Sequence, residues 1–398
     1  MKLLIVCDYY MYHSCGSYYF ESQEKFDFFH RYLRIFENIR LVTRCIEDNN
    51  PLKNRVLLDE EKIEYIPIPD YHGPVEYVKS YISIGIAMKN IVSGCDAALL
   101  QLPCTLAMRA SKQVIKARIP YATEVVYDAE DGWKSETSFI KKILWKRIDR
   151  NMRYICNNAD GVACVTEYYL QRHYFSKKKD SFKSNYSSLA LDKSFYSNPR
   201  KYPQKSILTI AHTANKIFYD WRKGHKETIE AVGLLKKEGI VVNVRFAGAI
   251  VDSSPELLKR LAADLGVENQ VEFAGYLGRE ELSQFLSASD LFVLPTKAEG
   301  LPRVLIEAMA KGLPCVSTRV SGNSELINSN FLVNYDDVEG LAKKLKTLIL
   351  DKDIYETESR SNYKKSLNYE ATILQLRRDQ FYSNLKRISK IQNKENKK

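Results

Sequence analysis

Short apolar runs alternate with longer amphipathic stretches in the first half of the chain. The first run covers residues 2–7 and ends at Asp8, and further runs follow at 39–43, 97–100, 121–126 and 161–165. Between them lie stretches with the apolar spacing of helices, for example 26–36 and 138–156. Short buried strands that alternate with helices are typical of a doubly wound parallel sheet. This pattern predicts an α/β fold.

A second series of the same kind follows a stretch in which the pattern is lost. Residues 177–203 are rich in Lys, Ser, Asn and Tyr and contain two prolines near their end, which predicts a linker. Beyond it, we expect strands at 206–211, 241–246, 270–274, 291–294 and 315–317, and helices at 226–237, 255–265, 279–287, 302–311 and 337–350. We therefore expect domains over residues 1–198 and 199–370, followed by a helix and a basic tail over 371–398.

Composition limits the partners and the location of such a chain. A length of 398 residues suits two or three domains. Lys and Arg number 60 and Asp and Glu number 49, so the net charge of +11 favours anionic partners. No apolar run approaches a membrane span, no signal-peptide cleavage site follows the N-terminus, and the eight cysteines form no CxxC pair. These features predict a cytoplasmic protein with reduced thiols.

The segment 291–314 combines a strand, a short loop and a helix, and it carries the strongest chemical signal. Pro302 suits the first helical turn, where its missing N–H costs nothing, and Gly312 suits the position just past the helix end. Glu299 and Gly300 then lie in the loop before the helix. The free N–H groups of a helix start bind phosphate or diphosphate well, so the sequence predicts an anion site here.

Glu307 lies in the same helix among neighbours that are almost all apolar. We expect its side chain to be buried, which is costly unless fixed donors satisfy the carboxylate. Two interpretations stay open at this point. The carboxylate can form a structural pair with a nearby Arg or amide, or it can bind a ligand.

Seven residues separate Glu299 from Glu307, and this arrangement resembles the acidic signature of glycosyltransferase family 4. The motifs Gly275-Tyr-Leu, Ser289-Asp-Leu-Phe-Val-Leu-Pro and Gly312-Leu-Pro also stand in the order and spacing of that family. The resemblance is specific over residues 206–350 and weaker in the first domain. It implies a retaining enzyme of GT-B fold, with two Rossmann-like domains facing a central cleft. The first domain would bind an acceptor and the second a nucleotide sugar, and the C-terminal helix would cross back to the first domain.

The resemblance also implies roles for individual residues. Glu299 would contact the donor sugar and support the positive charge that develops on it. Lys223 would neutralise the leaving diphosphate. Glu307 would accept hydrogen bonds from the ribose hydroxyls, and the backbone near Tyr276 and Leu277 would meet the base. The remaining donor-binding residues that it implies are Gly300, Leu301, Pro302, Arg222 and Gly224.

The sequence departs from the family pattern at three places. Phe218 stands where a second phosphate-binding Arg is common, with Lys216 or Arg222 as candidates to replace that Arg. The run 321–325, Ser-Gly-Asn-Ser-Glu, replaces a run that usually begins with two glycines. Tyr127 precedes Asp128 where a histidine is common, so no histidine role is assigned.

Two further candidates carry weaker signals. Asp128 follows a predicted strand and could orient the acceptor hydroxyl, although a solvated loop carboxylate is the commoner outcome. Gly16 follows the first strand and could belong either to an ordinary turn or to a loop that contacts the donor. We include Asp128 among the catalytic candidates and Gly16 among the donor-binding ones.

The stretch 139–155 predicts a basic amphipathic helix. It can dock on its own domain, which is the usual use of such a helix, or on anionic lipid beside a lipid-linked acceptor. A nucleic-acid partner is not expected, because the sequence contains no helix-turn-helix signature, no RNA-recognition aromatics and no zinc spacing. The expected location is therefore the cytoplasm, with the inner face of the membrane as a candidate contact.

We predict a retaining, metal-independent hexosyltransferase without a cofactor. It would move a sugar from a nucleotide diphosphate sugar to a saccharide or lipid-linked acceptor, with bacterial surface polysaccharide synthesis as the setting. Two alternatives stay open: a nucleotide-sugar epimerase of the same fold, and a basic nucleotide- or membrane-binding module without catalysis.

Overall fold

The chain forms two compact α/β units. The structure is a computed structural model that describes residues 1–48, 55–58, 61–134, 138–189, 191–219, 223–250 and 252–395. Unit 1 comprises Met1–Tyr186 with Gln375–Lys398, and unit 2 comprises Ser187–Leu374. Within the described residues, no helix combines the length and the apolar content needed to cross a bilayer.

Unit 1 is built on one mixed sheet. Its strands are β1 Lys2–Ser14, β2 Ser17–Phe20, β3 Asn38–Glu47, β4 Val56–Leu57, β5 Ile63–Pro69, β6 Ala97–Leu102, β7 Tyr121–Val125, β8 Gly161–Cys164 and β9 Phe182–Asn185. The parallel strands lie in the order β5-β3-β1-β6-β7-β8-β9, and β2 and β4 extend the far end of β1 in antiparallel pairing. The chain therefore starts in the middle of the sheet, winds to one side and then to the other, as doubly wound folds do.

The helices of unit 1 flank this sheet. They are α1 Gln23–His30, α2 Gly73–Lys79, α3 Tyr81–Ala87, α4 Thr105–Ala117, α5 Ala129–Lys134 and α6 Phe139–Asn157. In α4, the side chains of Leu106, Ala110 and Val114 recur at helical spacing and are fully buried against the sheet. This spacing is what fixes the helix on the sheet, since apolar burial is the main favourable term in folding.

Unit 2 repeats the same winding with a fully parallel sheet. Its strands are β10 Leu208–Lys216, β11 Val242–Ala249, β12 Val271–Gly275, β13 Leu291–Leu294, β14 Cys315–Thr318 and β15 Leu332–Val333. They lie in the order β12-β11-β10-β13-β14-β15. The helices are α7 His225–Lys237, α8 Ser254–Asp264, α9 Arg279–Ser287, α10 Arg303–Ala310, α11 Asn323–Leu326, α12 Val338–Leu350 and α13 Lys352–Ser366. A last helix, α14 Ala371–Glu395, begins in unit 2 and continues in unit 1. The predicted doubly wound α/β architecture is confirmed.

Strand β1 is longer than the sequence predicts. Asp8 was expected to end it, yet the strand continues to Ser14. The Asp8 carboxylate is paired with Arg44 of the neighbouring strand β3, with Oδ1 2.7 Å from Nη2. A charge inside a strand is tolerated when a cross-strand partner of opposite sign neutralises it. That partner lies 36 residues further along the chain, so the local pattern around Asp8 does not reveal it.

The predicted linker over residues 177–203 is wrong in part. Its first half contains β9, which pairs with β8 at the edge of the unit 1 sheet. From Ser187 onward the chain belongs to unit 2, where the Ser197 N–H donates to the Ala310 carbonyl at 3.0 Å. Asp192 also pairs with Arg279 at 2.9 Å. These contacts place the boundary after Tyr186, not after residue 198.

Helix α14 is grouped with unit 1 from Gln375 onward, and a buried carboxylate holds it there. Its Tyr382 hydroxyl donates to Glu124 Oε1 of β7 at 2.7 Å. Tyr186 donates to the same oxygen at 2.8 Å, and Tyr32 donates to Oε2 at 3.3 Å. Burial raises the pKa of all three phenols well above the usual value, so they remain protonated donors. The cluster thereby satisfies a carboxylate that would otherwise be costly to bury.

We predict that Tyr382→Phe lowers the free energy of unfolding by about 2 kcal/mol, because it removes a hydrogen bond to a buried charged group. Urea denaturation followed by circular dichroism measures this change. The matched control is Tyr154→Phe, since Tyr154 is exposed and its substitution should have little effect. Equal effects of the two substitutions would contradict the role given to the Glu124 cluster.

Candidate functional site

The candidate residues of unit 2 lie in loops at one edge of its sheet. Because all strands of this sheet are parallel, the loops that follow β10, β12, β13 and β14 leave at the same carboxyl edge. From β10 the chain adds β11 and β12 on one side of the sheet and then β13, β14 and β15 on the other side. The switch point is therefore between the neighbouring strands β10 and β13. In open α/β sheets, ligands bind at such a switch point, because the flanking helices there lie on opposite faces and leave a crevice.

An ion pair connects the two loops at the switch point. Lys223, after β10, donates from Nζ to Oε1 of Glu299, after β13. The Thr296 hydroxyl lies 3.3 Å from the same oxygen. The side chains of Lys223 and Glu299 are 29% and 13% exposed, so solvent or a ligand can reach both. The site therefore presents one cation and one anion side by side.

Gly224 lets these two loops approach each other closely. Its φ is +75°, and a Cβ at this position would lie only 2.2 Å from the Pro295 carbonyl oxygen. Any side chain at residue 224 would therefore push the loops apart. Gly224 is also the N-cap of α7, so its backbone fixes where Lys223 leaves the loop. The glycine thus determines the distance between Lys223 and the loop that carries Glu299.

The loop after β14 supports Gly300 from the other side. The N–H of Gly322 and the hydroxyl of Ser321 both donate to the Gly300 carbonyl, at 3.0 Å and 3.1 Å. Ser321 has a φ of +37°, and a Cβ on Gly322 would lie 2.5 Å from that carbonyl. Of the two glycines that are usual at positions 321 and 322, only the second is thus required for the close approach of this loop to the Gly300 carbonyl. Serine fills the first position and adds a hydrogen bond.

Helix α10 begins at Arg303, with Pro302 at its N-cap and Leu301 buried before it. It ends as the sequence predicts. Gly312 has a φ of +70°, its N–H donates to the Met309 carbonyl at 2.9 Å, and the following residue bonds to the Ala308 carbonyl. The start of the helix points its first N–H groups away from its own hydrogen-bond ladder, which leaves them available to an anion.

The expectation that Glu307 is buried is wrong. Its side chain is partly exposed, while Leu305, Ile306 and Ala308 around it are buried. Glu307 lies four residues after the exposed Arg303, and residues four apart share one face of a helix. The apolar neighbours cover the other faces of α10, so this stripe stays open and Glu307 is accessible.

A stacked pair of buried histidines lies beside the Lys223 loop. The rings of His212 and His225 are 4.4 Å apart and nearly parallel, and His212 Nδ1 is 3.1 Å from the Thr228 hydroxyl. Burial, assisted by the nearby Lys223 charge, lowers the pKa of His225 to about 4, and the pKa of His212 is also lowered well below its usual range. Both rings are therefore neutral near pH 7 and serve as packing.

The remaining predicted donor contacts have different placements. Tyr276 and Leu277 follow β12 at the same carboxyl edge, and Tyr276 is exposed. Arg222 lies outside the described residues. Gly16 forms the turn between β1 and β2, with φ values of +51° for Cys15 and +79° for Gly16. A two-residue hairpin turn of this type requires both positive angles, so the turn itself accounts for the glycine.

Asp128 is neither a solvated carboxylate nor an accessible one. Its side chain is fully buried within unit 1, where the Tyr174 hydroxyl and the Glu130 N–H both donate to Oδ1 at 2.9 Å. His173 Nδ1 lies 3.3 Å from Oδ2. The chain enters α5 directly after Asp128, and the first N–H groups of that helix need an acceptor. Asp128 thus caps α5, and its catalytic role stays a prediction.

Residues 214–367 match the family model described as glycosyl transferases group 1, and this span contains Lys223, Glu299 and Glu307. Residues 214–367 therefore form a glycosyl transferases group 1 domain. The resemblance seen in the sequence is confirmed.

Relatives of this glycosyltransferase agree in sequence and in fold. Protein CapJ of Staphylococcus aureus is 28% identical over 360 residues, which cover 90% of this chain and 89% of CapJ. The lipopolysaccharide core biosynthesis glycosyltransferase LpsE of Rhizobium meliloti is 34% identical over 136 residues, or 33% of this chain and 38% of LpsE. The crystal structure of Anabaena HepE with UDP superposes with a TM-score of 0.66 at 16% identity, covering 96% of this chain and all of HepE. The fold is GT-B.

Two contacts of the glycosyltransferase site cannot be read directly from the sequence. Thr296 reaches Glu299, and Ser321 supports Gly300, yet both occur in runs without a distinctive pattern. The positive φ of Ser321 is unusual for a residue with a Cβ, so it cannot be read from residue type. The sequence signal for this loop was indirect: Ser321 stands where the family pattern usually has the first of two glycines.

We predict that lowering the pH from 7 to 5 reduces stability partly through the histidine pair. Below the unfolded pKa of about 6.5, the unfolded chain binds a proton that folded His225 does not accept until about pH 4. Each pH unit within this window should cost about 1.4 kcal/mol per histidine. Urea unfolding of His225→Phe should show a shallower pH dependence than the native chain.

The matched control for this prediction is His72→Phe, because His72 is exposed. Its stability should follow the pH dependence of the native chain. If His225→Phe and the native chain lost stability with equal slopes between pH 7 and pH 5, the neutral buried pair would be contradicted.

Proposed function

We propose that this protein is a retaining hexosyltransferase that moves a sugar from a nucleotide diphosphate sugar to a saccharide or lipid-linked acceptor. The observation that carries the proposal is the Lys223–Glu299 pair at the switch point of a group 1 glycosyl transferase domain. A diphosphate sugar has two negative phosphates next to a carbon that becomes positive during transfer. One cation and one anion in contact match that charge distribution.

Two similarities support the class of donor and the pathway. HepE, which shares the fold, was crystallised with UDP, so uridine diphosphate sugars are the first donors to test. LpsE, which shares sequence with the donor domain, is named for lipopolysaccharide core biosynthesis. We therefore assign this chain to the synthesis of a bacterial surface polysaccharide.

Each site residue binds a different part of the donor in this proposal. In the free protein, Lys223 and Glu299 neutralise each other. When the donor enters, Lys223 moves to the diphosphate, and the N–H groups at Gly300, Leu301 and the start of α10 bind the other phosphate oxygens. Glu299 is then released to the sugar hydroxyls. Glu307, on the open stripe of α10, binds the ribose, while Tyr276 and Leu277 meet the base.

The proposed transfer is a front-face displacement. The bond between the anomeric carbon and the diphosphate oxygen breaks while the acceptor oxygen forms its bond on the same face, so the configuration is retained. The departing diphosphate oxygen takes the acceptor proton. Lys223 and the helix amides stabilise the leaving charge, and Glu299 stabilises the positive sugar. These groups supply the charge stabilisation without a metal ion or cofactor.

The acceptor side belongs to the same proposal. A lipid-linked acceptor would be held at the inner face of the cytoplasmic membrane, and the basic helix α6 would contact its anionic surface. The protein would then work as a cytoplasmic enzyme in peripheral contact with the membrane.

We predict that Glu299→Ala lowers the turnover number by about 10² to 10³-fold, because it removes the carboxylate that stabilises the transition state. The donor is first found by thermal shift with a panel of nucleotide sugars, beginning with UDP-glucose. Turnover is then measured as release of free nucleoside diphosphate. Glu280→Ala is the matched control, since Glu280 lies exposed on α9 and should leave turnover unchanged.

This assay separates the proposed activity from its alternatives. A transferase releases nucleoside diphosphate only when an acceptor is present, whereas an epimerase processes its donor without one. Nucleotide binding without turnover would indicate a binding module. An unchanged turnover number in Glu299→Ala, with a folded protein, would remove Glu299 from the mechanism.

We further predict that removal of divalent cations leaves the rate within about twofold, because the protein supplies the compensating charges. The measurement compares turnover after exhaustive EDTA treatment with turnover in added Mg²⁺. A loss of more than about tenfold that Mg²⁺ restores would contradict the metal-independent mechanism.

A further inference from the structure

Unit 1 carries large apolar side chains on its surface in two groups. On α2 and α3, Val78 is 70% exposed and Ile82 is 77% exposed. On the first half of α6, Ile140 is 79% exposed. The other exposed apolar residues of these helices are Val75, Tyr81, Ile86, Phe139, Ile143 and Leu144. Single exposed apolar residues are normal, but grouped ones mark an interaction surface.

Helix α6 changes its character along its length. In its second half, Met152, Ile155 and Cys156 are buried in the core of unit 1. In its first half, Phe139 and Ile140 point to solvent instead. The two interpretations left open by the sequence therefore apply to different halves of one helix: the second half docks on the domain, and the first half is available to a partner.

The two apolar groups lie on the same face of unit 1. Helix α4 runs between α3 and α6, and its Arg109 donates to the Tyr81 carbonyl at 3.0 Å. Residues of α3, α4 and α6 enter one shared apolar core against the sheet. In addition, α2 follows β5 and the segment leading to α6 follows β7, so both groups begin at the carboxyl edge of the parallel strands. We call this set of helices, α2, α3, α4 and the first half of α6, the basic-apolar face.

This face is strongly positive. Helices α2, α3 and α4 contain four Lys and Arg residues, the first half of α6 contains four more, and Glu76 of α2 is the one acidic residue among them. Lys112, Lys116, Lys141 and Lys146 are exposed. Apolar side chains bordered by Lys and Arg are typical of proteins that insert into the interface of a bilayer that contains anionic lipids.

We propose that the basic-apolar face docks on an anionic lipid bilayer by inserting the apolar side chains of α2–α3 and α6 between the headgroups. A second copy of the chain is a poorer occupant, because a two-fold interface would place the same basic helices against each other. The inference rests on the proposed function, in which the acceptor is lipid-linked, and it extends the contact from one basic helix to two apolar groups. Docking is measured without turnover, so its failure is distinguishable from failure of the proposed catalysis.

The test is cosedimentation of the full chain with vesicles of phosphatidylcholine alone or of phosphatidylcholine with phosphatidylglycerol. We expect binding to the anionic vesicles, a residual salt-resistant component from the inserted side chains, and little binding to phosphatidylcholine. The variants Val78→Ser/Ile82→Ser and Ile140→Ser/Ile143→Ser should each weaken binding about tenfold. Because these side chains are exposed, the fold should be retained.

The matched control is Leu350→Ser/Leu376→Ser, which removes two exposed apolar side chains outside the face and should bind as the native chain does. If only the α6 variant weakened binding, the two-group surface would be overturned. Equal binding of all variants, or binding lost completely at high salt, would overturn insertion. A dimer in analytical ultracentrifugation that the same variants dissociate would assign the face to a second copy instead.

Discussion

The close approach of two backbone loops at the switch point of unit 2 is the constraint on which the site depends. Gly224 lies against the Pro295 carbonyl, at a distance that admits no side chain. This contact sets Lys223 beside Glu299, because Lys223 directly precedes Gly224 and Glu299 follows Pro295 by four residues in the same loop. A second contact of the same kind, between Gly322 and the Gly300 carbonyl, fixes the loop that leads into α10. The charges of the site are thus positioned by backbone packing, and the side chains remain free to exchange partners when a ligand enters.

The two units differ in which of their charged and apolar side chains are accessible. Unit 2 gathers an accessible cation, two accessible carboxylates and a helix start at the edge of one sheet. Unit 1 uses its most prominent buried carboxylates for structure: Glu124 holds α14 through three phenols, and Asp128 caps α5. What unit 1 offers to partners is its helical surface, where exposed apolar and basic side chains lie together. This difference supports the proposal that unit 2 binds the donor and that unit 1 meets an acceptor held by a partner surface.

Much of the fold was readable from local pattern, and the failures have a common cause. Strand β13, helix α9 and the glycine end of α10 were predicted correctly, because apolar runs, capping and turn residues are encoded within a few positions. Strand β1 was cut short at Asp8, because Arg44 on another strand neutralises that charge. Strand β9 was missed, because an edge strand needs few apolar residues. Glu307 was expected to be buried and Asp128 accessible, since exposure depends on packing against elements distant in the sequence. The family resemblance located the site loops, but it could not show that Ser321 would replace a glycine by accepting a positive φ and donating to Gly300.

The most direct test of the central claim is a crystal structure of the protein with UDP. We expect the diphosphate within hydrogen-bond distance of Lys223 Nζ and of the N–H groups at the start of α10, with the Lys223–Glu299 pair opened. The ribose should contact Glu307, and the base should lie near Tyr276 and Leu277. UDP bound at another edge of the protein, or bound here with the Lys223–Glu299 pair intact and Glu307 unoccupied, would contradict the account.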